Sequence, residues 1–545
     1  MTLNLPALVP AAAFLGLVSH LAYFINGEHH MEAMALFQAA LLLPPTMTAG
    51  LVYLNDSTVL EASEIVALLL AAYLTPLFTS MLLYRVFFHR LRRYPGPFSA
   101  KLSKLWHVSK LSNKDNHKQL QTWHAKYGKY VRTGPTELSI ADPDAVELIY
   151  GPRTKCTKAP WYDISMPLVS MHQNRNKAEH DRRRRSAWDK GFGAKALRDY
   201  EPRVVNYADL LVSQIAAFSG KPLNASRWMN YYSFDVMGDL AFGKSFDMLK
   251  NGKSHFAIDL LNKAQGAFGL LSPAVWVFRI LTRMPIISAD YKAFVAWCEN
   301  QMIERTKMKV EKPDIAHWLI NSPPMSSDPF VNRMWAAGDS RLIIVGGSDT
   351  TAATLTFLFH YLAKYPQEIG KLRKELEEVD VDENESLQAA LRDLPHLNGA
   401  INEALRLNPP VPSGLQRMTP PEGMDVGGKK VPGLVTVFVP SYVMGRSEEC
   451  YKRPHEFIPE RWYSKSEMVK RKDAFIPFSS GAYSCIGKQL ALQEVRTVTA
   501  KLITKFDVSF APGEDGTTLL EESKDIFTTE LGDMFLCFTP RMKEG

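Results

Sequence analysis

The chain has 545 residues, 46% of them hydrophobic, and a formal net charge of +7, which allows one large core or several smaller ones and excludes a disordered protein. Five cysteines, Cys156, Cys298, Cys450, Cys485 and Cys537, are too scattered and odd in number for a disulfide scaffold, and no CxxC pair or short-spaced His/Cys cluster marks a structural zinc site. A reducing compartment fits this usage, and a single cysteine is still free to serve as a ligand.

Three apolar stretches open the chain, at residues 5–25, 34–54 and 65–88, each near the ~20 residues that cross a bilayer. A cleavable signal peptide is excluded, because no basic region precedes the first stretch and two more long apolar runs come after it. Pro44 and Pro45 interrupt the second stretch, so a hairpin or re-entrant segment is the alternative to a span there. No Lys or Arg occurs before Arg85, and the first basic cluster is Arg85, Arg90, Arg92 and Arg93. The positive-inside rule puts the polypeptide after this cluster in the cytoplasm, with a lumenal N-terminus if all three stretches span. The sequon Asn55-Asp56-Ser57 would then be lumenal. Tyr94-Pro95-Gly96-Pro97 forms a stiff corner. The expected organisation is a membrane anchor over 1–90 with up to three transmembrane helices, a proline-rich hinge over 91–97, and one catalytic domain over 98–545.

Helical periodicity dominates that domain, with brief strand signals at 130–140 and 411–443. The expected fold class is mainly α with small β-sheets. Two nucleotide-site look-alikes fail on context. Gly191, Gly193 and Ala196 come after a charged run and no strand, and Lys430 stands where a phosphate loop needs Ser or Thr. A long helix is expected from Pro329 to Tyr365, roughly 50 Å end to end. Its Gly346-Gly347-Ser348-Asp349-Thr350-Thr351 centre predicts a local widening or bend. Further on, Glu403 and Arg406 lie three apart on a helical run and share a face. The segment from Phe478 to Gly487 places Cys485 just before another helix, where backbone N–H groups favour a thiolate, the electron-rich kind of ligand that activates iron-bound oxygen.

Four of these elements together resemble the cytochrome P-450 superfamily, and within it microsomal fungal members of secondary metabolism. The cysteine loop is similar to the family's FxxGxRxCxG signature, Gly346 to Thr351 to its oxygen-activating motif, Glu403 to Arg406 to its ExxR, and Pro459-Glu460-Arg461-Trp462 to its PERF/PERW element. The resemblance implies a cytochrome P-450 fold and haem b (iron protoporphyrin IX) with Cys485 as axial ligand to the iron. It implies Asp349 and Thr350 as the proton-delivering pair, and a Glu403, Arg406, Arg461 network bracing the cysteine loop. Cofactor contacts are expected from Phe478, Gly487, His180 and Arg184, with Arg185 as the register alternative, and from Arg417. Tyr483, also an expected cofactor contact, stands where the family usually has Arg; a phenol can donate a hydrogen bond to a propionate but supplies no charge, so part of the usual clamp is missing or moved elsewhere.

The activity implied by the resemblance is that of a monooxygenase that inserts one atom of O2 into an apolar small molecule. Electrons would come from NADPH through cytochrome P-450 reductase, with cytochrome b5 as a second donor, at the endoplasmic reticulum membrane with the catalytic domain facing the cytoplasm. Arg182 to Arg185, Lys190, Lys195 and Lys488 suggest a basic docking face for such an acidic partner and no nucleic-acid site. Substrate contacts are expected from 161–171, 268–280, 336–347, 411–415 and 526–529. The rival readings are a haem-thiolate isomerase or dehydratase, against which Asp349 and Thr350 argue, and a non-catalytic haem-binding membrane protein.

Overall fold

The computed structural model describes residues 4–309, 311–382 and 386–541. The three N-terminal stretches are helices: Leu5–Val18 with a π-helical extension Ser19–Phe24, Ala33–Asn55, and Val59–Leu83 continued by Tyr84–Phe88. The second runs unbroken through Pro44 and Pro45, where the Thr46 and Thr48 hydroxyls donate to the carbonyls of Leu42 and Pro44. A Thr58/Glu61 capping box starts the third. The first and third pack in parallel and very closely, since a Cβ on Gly16 would lie 2.0 Å from the Tyr73 carbonyl oxygen, and His20 meets the Ser80 hydroxyl at 2.7 Å. At most 11% of any of the three apolar windows is buried, so their apolar surfaces face outward. The equally apolar helix Pro329–Lys364 is 72% buried over its window and belongs to the core.

Two features fasten these helices to the rest of the chain. The Arg132 amide donates to the Pro95 carbonyl at 2.7 Å, and Gly96, at φ +154°, sits where a Cβ would strike the Arg132 carbonyl. The proline corner is therefore stapled to the strand Tyr130–Gly134. Arg175 also forms a two-pronged pair with Glu28, in the loop between the first two helices, and His30 meets Asp163 at 2.9 Å. Beside them the helix Val275–Leu281 packs on Ala33–Asn55.

The main part is helical, with small sheets at its edge. A five-stranded sheet has the order Tyr130–Gly134, Glu137–Ile140, Thr436–Phe438, Arg417–Met418, Thr157–Lys158, all pairs antiparallel except the second with the third. Gly427 and Gly428, both at positive φ, turn the hairpin that pairs Val426 with Lys429, which is why that segment imitates a phosphate loop. Gly191 and Gly193 mark a helix–helix corner. The helix Pro329–Lys364 crosses the core against Ala225–Phe242 and Ala289–Lys307. It stays α-helical through Gly346–Thr351, so the expected widening is not found. Small side chains there serve packing as well: a Cβ on Gly347 would press on Met237, and one on Gly338 would lie 1.9 Å from the Val169 carbonyl.

Glu403 anchors the region beneath the site. It stands on Pro395–Leu407, fully buried, and its two oxygens receive both Nε (2.9 Å) and Nη2 (2.7 Å) of Arg406, Nε of Arg461 (2.8 Å), the Ile458 amide (3.0 Å) and Nε1 of Trp462 (2.9 Å). The arginines in turn hold the carbonyls of Pro454, Glu456, Lys452 and Arg453. Glu403→Ala would leave two guanidinium groups buried without a counter-ion, and the expected loss is about 3–5 kcal/mol of folding stability in urea unfolding. A loss under about 1 kcal/mol would contradict the assigned role.

Candidate active site

The loop before Lys488–Lys505 is shaped by its glycines and by Arg184. Gly481, at φ +63°, lies where a Cβ would fall 2.7 Å from the carbonyls of Tyr150 and Gly151, so only glycine lets the loop seat against that helix end. The Cys485 amide donates to the Phe478 carbonyl at 2.8 Å, closing the loop. Arg184 donates to the carbonyls of Ala482 (3.0 Å) and Ser484 (3.1 Å). It therefore grips the cysteine loop itself. Burial pushes the Cys485 thiol up from its ordinary value, opposed by the Gly487 and Lys488 amides and by the charge of Arg184.

Cys485 opens onto a cavity of about 340 Å³. The opposite wall is the central helix, Pro329–Lys364, contributing Gly346, Gly347 and Thr350. A Cβ at Gly346 would meet nothing closer than Leu342 at 3.6 Å, so that residue leaves space beside the helix. The Thr350 hydroxyl donates to the Gly346 carbonyl at 2.9 Å. Asp349 does not touch Thr350 through a hydrogen bond. Its carboxylate accepts from Gln265 at 3.1 Å and Thr528 at 3.5 Å. Burial raises its pKa to about 6 despite those two donors, with Glu530 adding to the rise. Asp349 thus sits near the middle of the physiological range, where a carboxyl both holds and releases protons.

A cationic and aromatic cluster closes one end. The Tyr483 ring lies 5.1 Å from the Arg417 guanidinium and 4.8 Å from the Lys158 ammonium, with the His180 ring edge-on at 4.9 Å. Arg417 also donates to the Tyr162 hydroxyl at 2.7 Å. Lys158 donates to the carbonyls of Met171 and His172, and burial, then Arg417, holds its pKa well below the lysine range. His180 is lowered to about 4 by burial and then by Lys158, which leaves it neutral. The Tyr483 hydroxyl and Arg417 Nε are buried without a partner. Two cations, an uncommitted phenol and an uncommitted guanidinium nitrogen fit the carboxylates of an anionic planar group seated on Cys485. Lys158 gives no signal in the sequence, where it is one lysine on a two-residue strand; its pairing with Arg417 across the sheet is what brings it here.

Elsewhere the expected contacts divide. Trp161, Phe268 and Phe527 line the cavity and pack on each other, Trp161 stacked on Phe527 at 4.8 Å and edge-on to Phe268 at 5.6 Å. Val275–Leu281, by contrast, packs on the second N-terminal helix. The arginine run is not one patch. Arg183 turns inward to Asp339 at 2.7 Å and Arg184 to the loop, while Arg182 and Arg185 are exposed with Lys190, Lys195 and Lys488. Gln265 was missed, because a single glutamine on an apolar helix carries no signal of its own.

Residues 95–537 match the family model described as Cytochrome P-450. Tryprostatin B 6-hydroxylase of Aspergillus fumigatus is 42% identical over 97% of this chain and 96% of its own length. Cytochrome P-450 monooxygenases of Aspergillus versicolor and Purpureocillium lilacinum are each 41% identical, over 96% and 98% of this chain and 96% and 99% of their own lengths. The fold is similar to that of the crystal structure of a cytochrome P-450 haem domain, with a TM-score of 0.65 at 17% identity over 80% of this chain and 95% of that one. A cysteine loop, a glycine-bearing helix opposite it and a buried ExxR network, matched over the whole main part of the chain, have one reading: this protein belongs to the cytochrome P-450 family of haem-thiolate monooxygenases.

Proposed function

We propose that the cavity would hold haem b, with Cys485 supplying the sulfur to its iron and Lys158, Arg417, His180 and Tyr483 facing its propionates, and that the enzyme hydroxylates or epoxidises an apolar intermediate of secondary metabolism. The observation that carries this is the single cavity shared by the Cys485 sulfur and, across from it, Gly346 and Thr350. When bound, the haem supplies the binding and reductive activation of dioxygen. The chain supplies the rest. Gly487 and Lys488 amides and Arg184 stabilise a negative sulfur; Gly346 leaves room beside the central helix; Thr350 and Asp349 carry protons inward, Asp349 held in place by Gln265 and Thr528. An aromatic wall of Trp161, Phe268 and Phe527 keeps the substrate out of water.

Electrons are assigned to an NADPH-dependent cytochrome P-450 reductase, with cytochrome b5 as an additional donor. Both would dock on the exposed Arg185, Lys190, Lys195 and Lys488 near the cysteine loop. The residue 1–90 region is assigned as a three-span anchor in the endoplasmic reticulum membrane, leading through the 91–97 corner to a catalytic domain in the cytoplasm. Support comes from the Glu28–Arg175 and His30–Asp163 pairs, which put the first connecting loop on the catalytic side. The parallel course of the first and third helices then leaves the N-terminus and Asn55 on the other side.

The reduced, carbon monoxide-bound spectrum should carry a thiolate-type Soret band in wild type and lack it in Cys485→Ala; identical spectra would defeat the ligand assignment. Asp349→Asn should slow turnover on the order of 100-fold and Thr350→Ala should divert reducing equivalents to peroxide. Asp349 also has a stability signature. An acid whose pKa is raised on folding weakens the fold as pH rises from its unfolded value towards about 6. Asp349→Asn should therefore be more stable than wild type at pH 7.5, by about 3 kcal/mol, and no more stable at pH 3. Finally, an epitope at the N-terminus should survive protease treatment of sealed microsomes while the catalytic domain is degraded; its digestion would contradict three spans.

A further inference from the structure

Arg341 lies on the central helix, and its side chain lines the cavity. Its Nε is buried with no hydrogen-bond partner, and the guanidinium makes no hydrogen bond or ion pair among the described residues. Other inward-facing arginines have acidic partners, Arg183 with Asp339 and Arg305 with Asp314. Three acids on the central helix and the nearby turn are already engaged. Asp339 receives Arg183 and the Met171 amide, Asp163 receives Arg175 and His30, and Asp349 receives Gln265 and Thr528. His172, which feels the charge of Arg341, is kept neutral by burial and then by Lys158 and Arg341, and so brings no negative charge to it.

A buried guanidinium nitrogen with no acceptor is costly, and the planar fork that carries it suits an oxygen acceptor. The walls around it say what else that partner contains: Trp161, Phe268 and Phe527 offer ring faces and edges to an aromatic body. We propose that Arg341 is the polar anchor for the substrate, gripping a carboxylate or amide carbonyl oxygen of an aromatic molecule whose ring lies against Trp161, Phe268 and Phe527. This rests on the monooxygenase reading and adds to it a substrate class and a specificity residue. A site built to donate hydrogen bonds discriminates strongly against analogues that lack the acceptor.

The test uses the full-length enzyme in detergent or membranes, with wild type, Arg341→Met and Arg341→Lys. Each is first checked for haem content and for the thiolate-type carbon monoxide spectrum. Substrate-induced Soret shifts are then titrated with 2-naphthylacetate, 2-naphthylacetamide and 2-ethylnaphthalene, which share a ring system and differ in the acceptor. Wild type should bind the acid or the amide at least ten-fold more tightly than the hydrocarbon, and the acid-to-amide ratio identifies which oxygen the fork prefers. Arg341→Met should erase that preference while keeping haem and hydrocarbon affinity. Arg341→Lys should keep part of the preference for the acid. Equal binding of all three probes by wild type, no shift with any of them, or a preference that survives in Arg341→Met would overturn the proposal. Loss of haem from Arg341→Met would reassign the residue to the cofactor and overturn it too. A wild-type protein without the thiolate band would instead sink the haem-thiolate reading on which the proposal stands.

Discussion

One fully buried carboxylate, Glu403, ties its own helix to the distant segment 452–462. It receives five donors from its own helix, from Ile458, and from the Arg461 and Trp462 turn, and through Arg406 and Arg461 it reaches the carbonyls of 452–456. Two cations and one anion in a dry interior are tolerable only because nearly every polar atom is answered. That requirement makes the segment before the cysteine loop rigid. Trp462 carries the constraint onward, packing on Phe475 three residues before Phe478, whose carbonyl closes the loop. The position of the Cys485 sulfur is thus set by an ion cluster it never touches.

How much of this is readable from the sequence depends on whether a residue announces itself locally. Cys485, Glu403, Arg406 and Arg461 sit in short patterns of fixed spacing, and the structure brings the last three into one contact network. The long helix is legible from its capping residues and its length. Partnerships made across the fold are not legible in this way. Lys158 comes to Arg417 and Tyr483 only because a two-residue strand pairs with Arg417–Met418. Gln265 comes to Asp349 from a different helix. The glycine-rich centre of the long helix suggests a bend, yet Gly347 and Gly338 are small because Met237 and Val169 press against them. Spacing along one strand of sequence cannot distinguish a helix that must yield from one that must be approached.

The arginine run from 182 to 185 makes the same point with charge. Four adjacent like charges suggest one basic face, but a helix distributes neighbours around its circumference. One arginine enters the core to meet Asp339, one holds the cysteine loop, and two face solvent. The positive charge missing at Tyr483 is made good by Lys158 and Arg417 on either side of its ring.

The loop between the first two helices has a consequence for how this enzyme can be handled. Glu28 and His30 reach Arg175 and Asp163, and Asp163 belongs to the same short turn as Trp161, a wall of the cavity. The N-terminal helices are therefore a working part of the reaction chamber as well as a tether. Cutting the chain at the proline corner would remove the Glu28–Arg175 pair and the His30–Asp163 contact from beside the cavity and uncover the flank of Val275–Leu281 that Ala33–Asn55 covers. The shortened protein would be a different catalyst, and selectivity measured on it would not transfer to the intact chain.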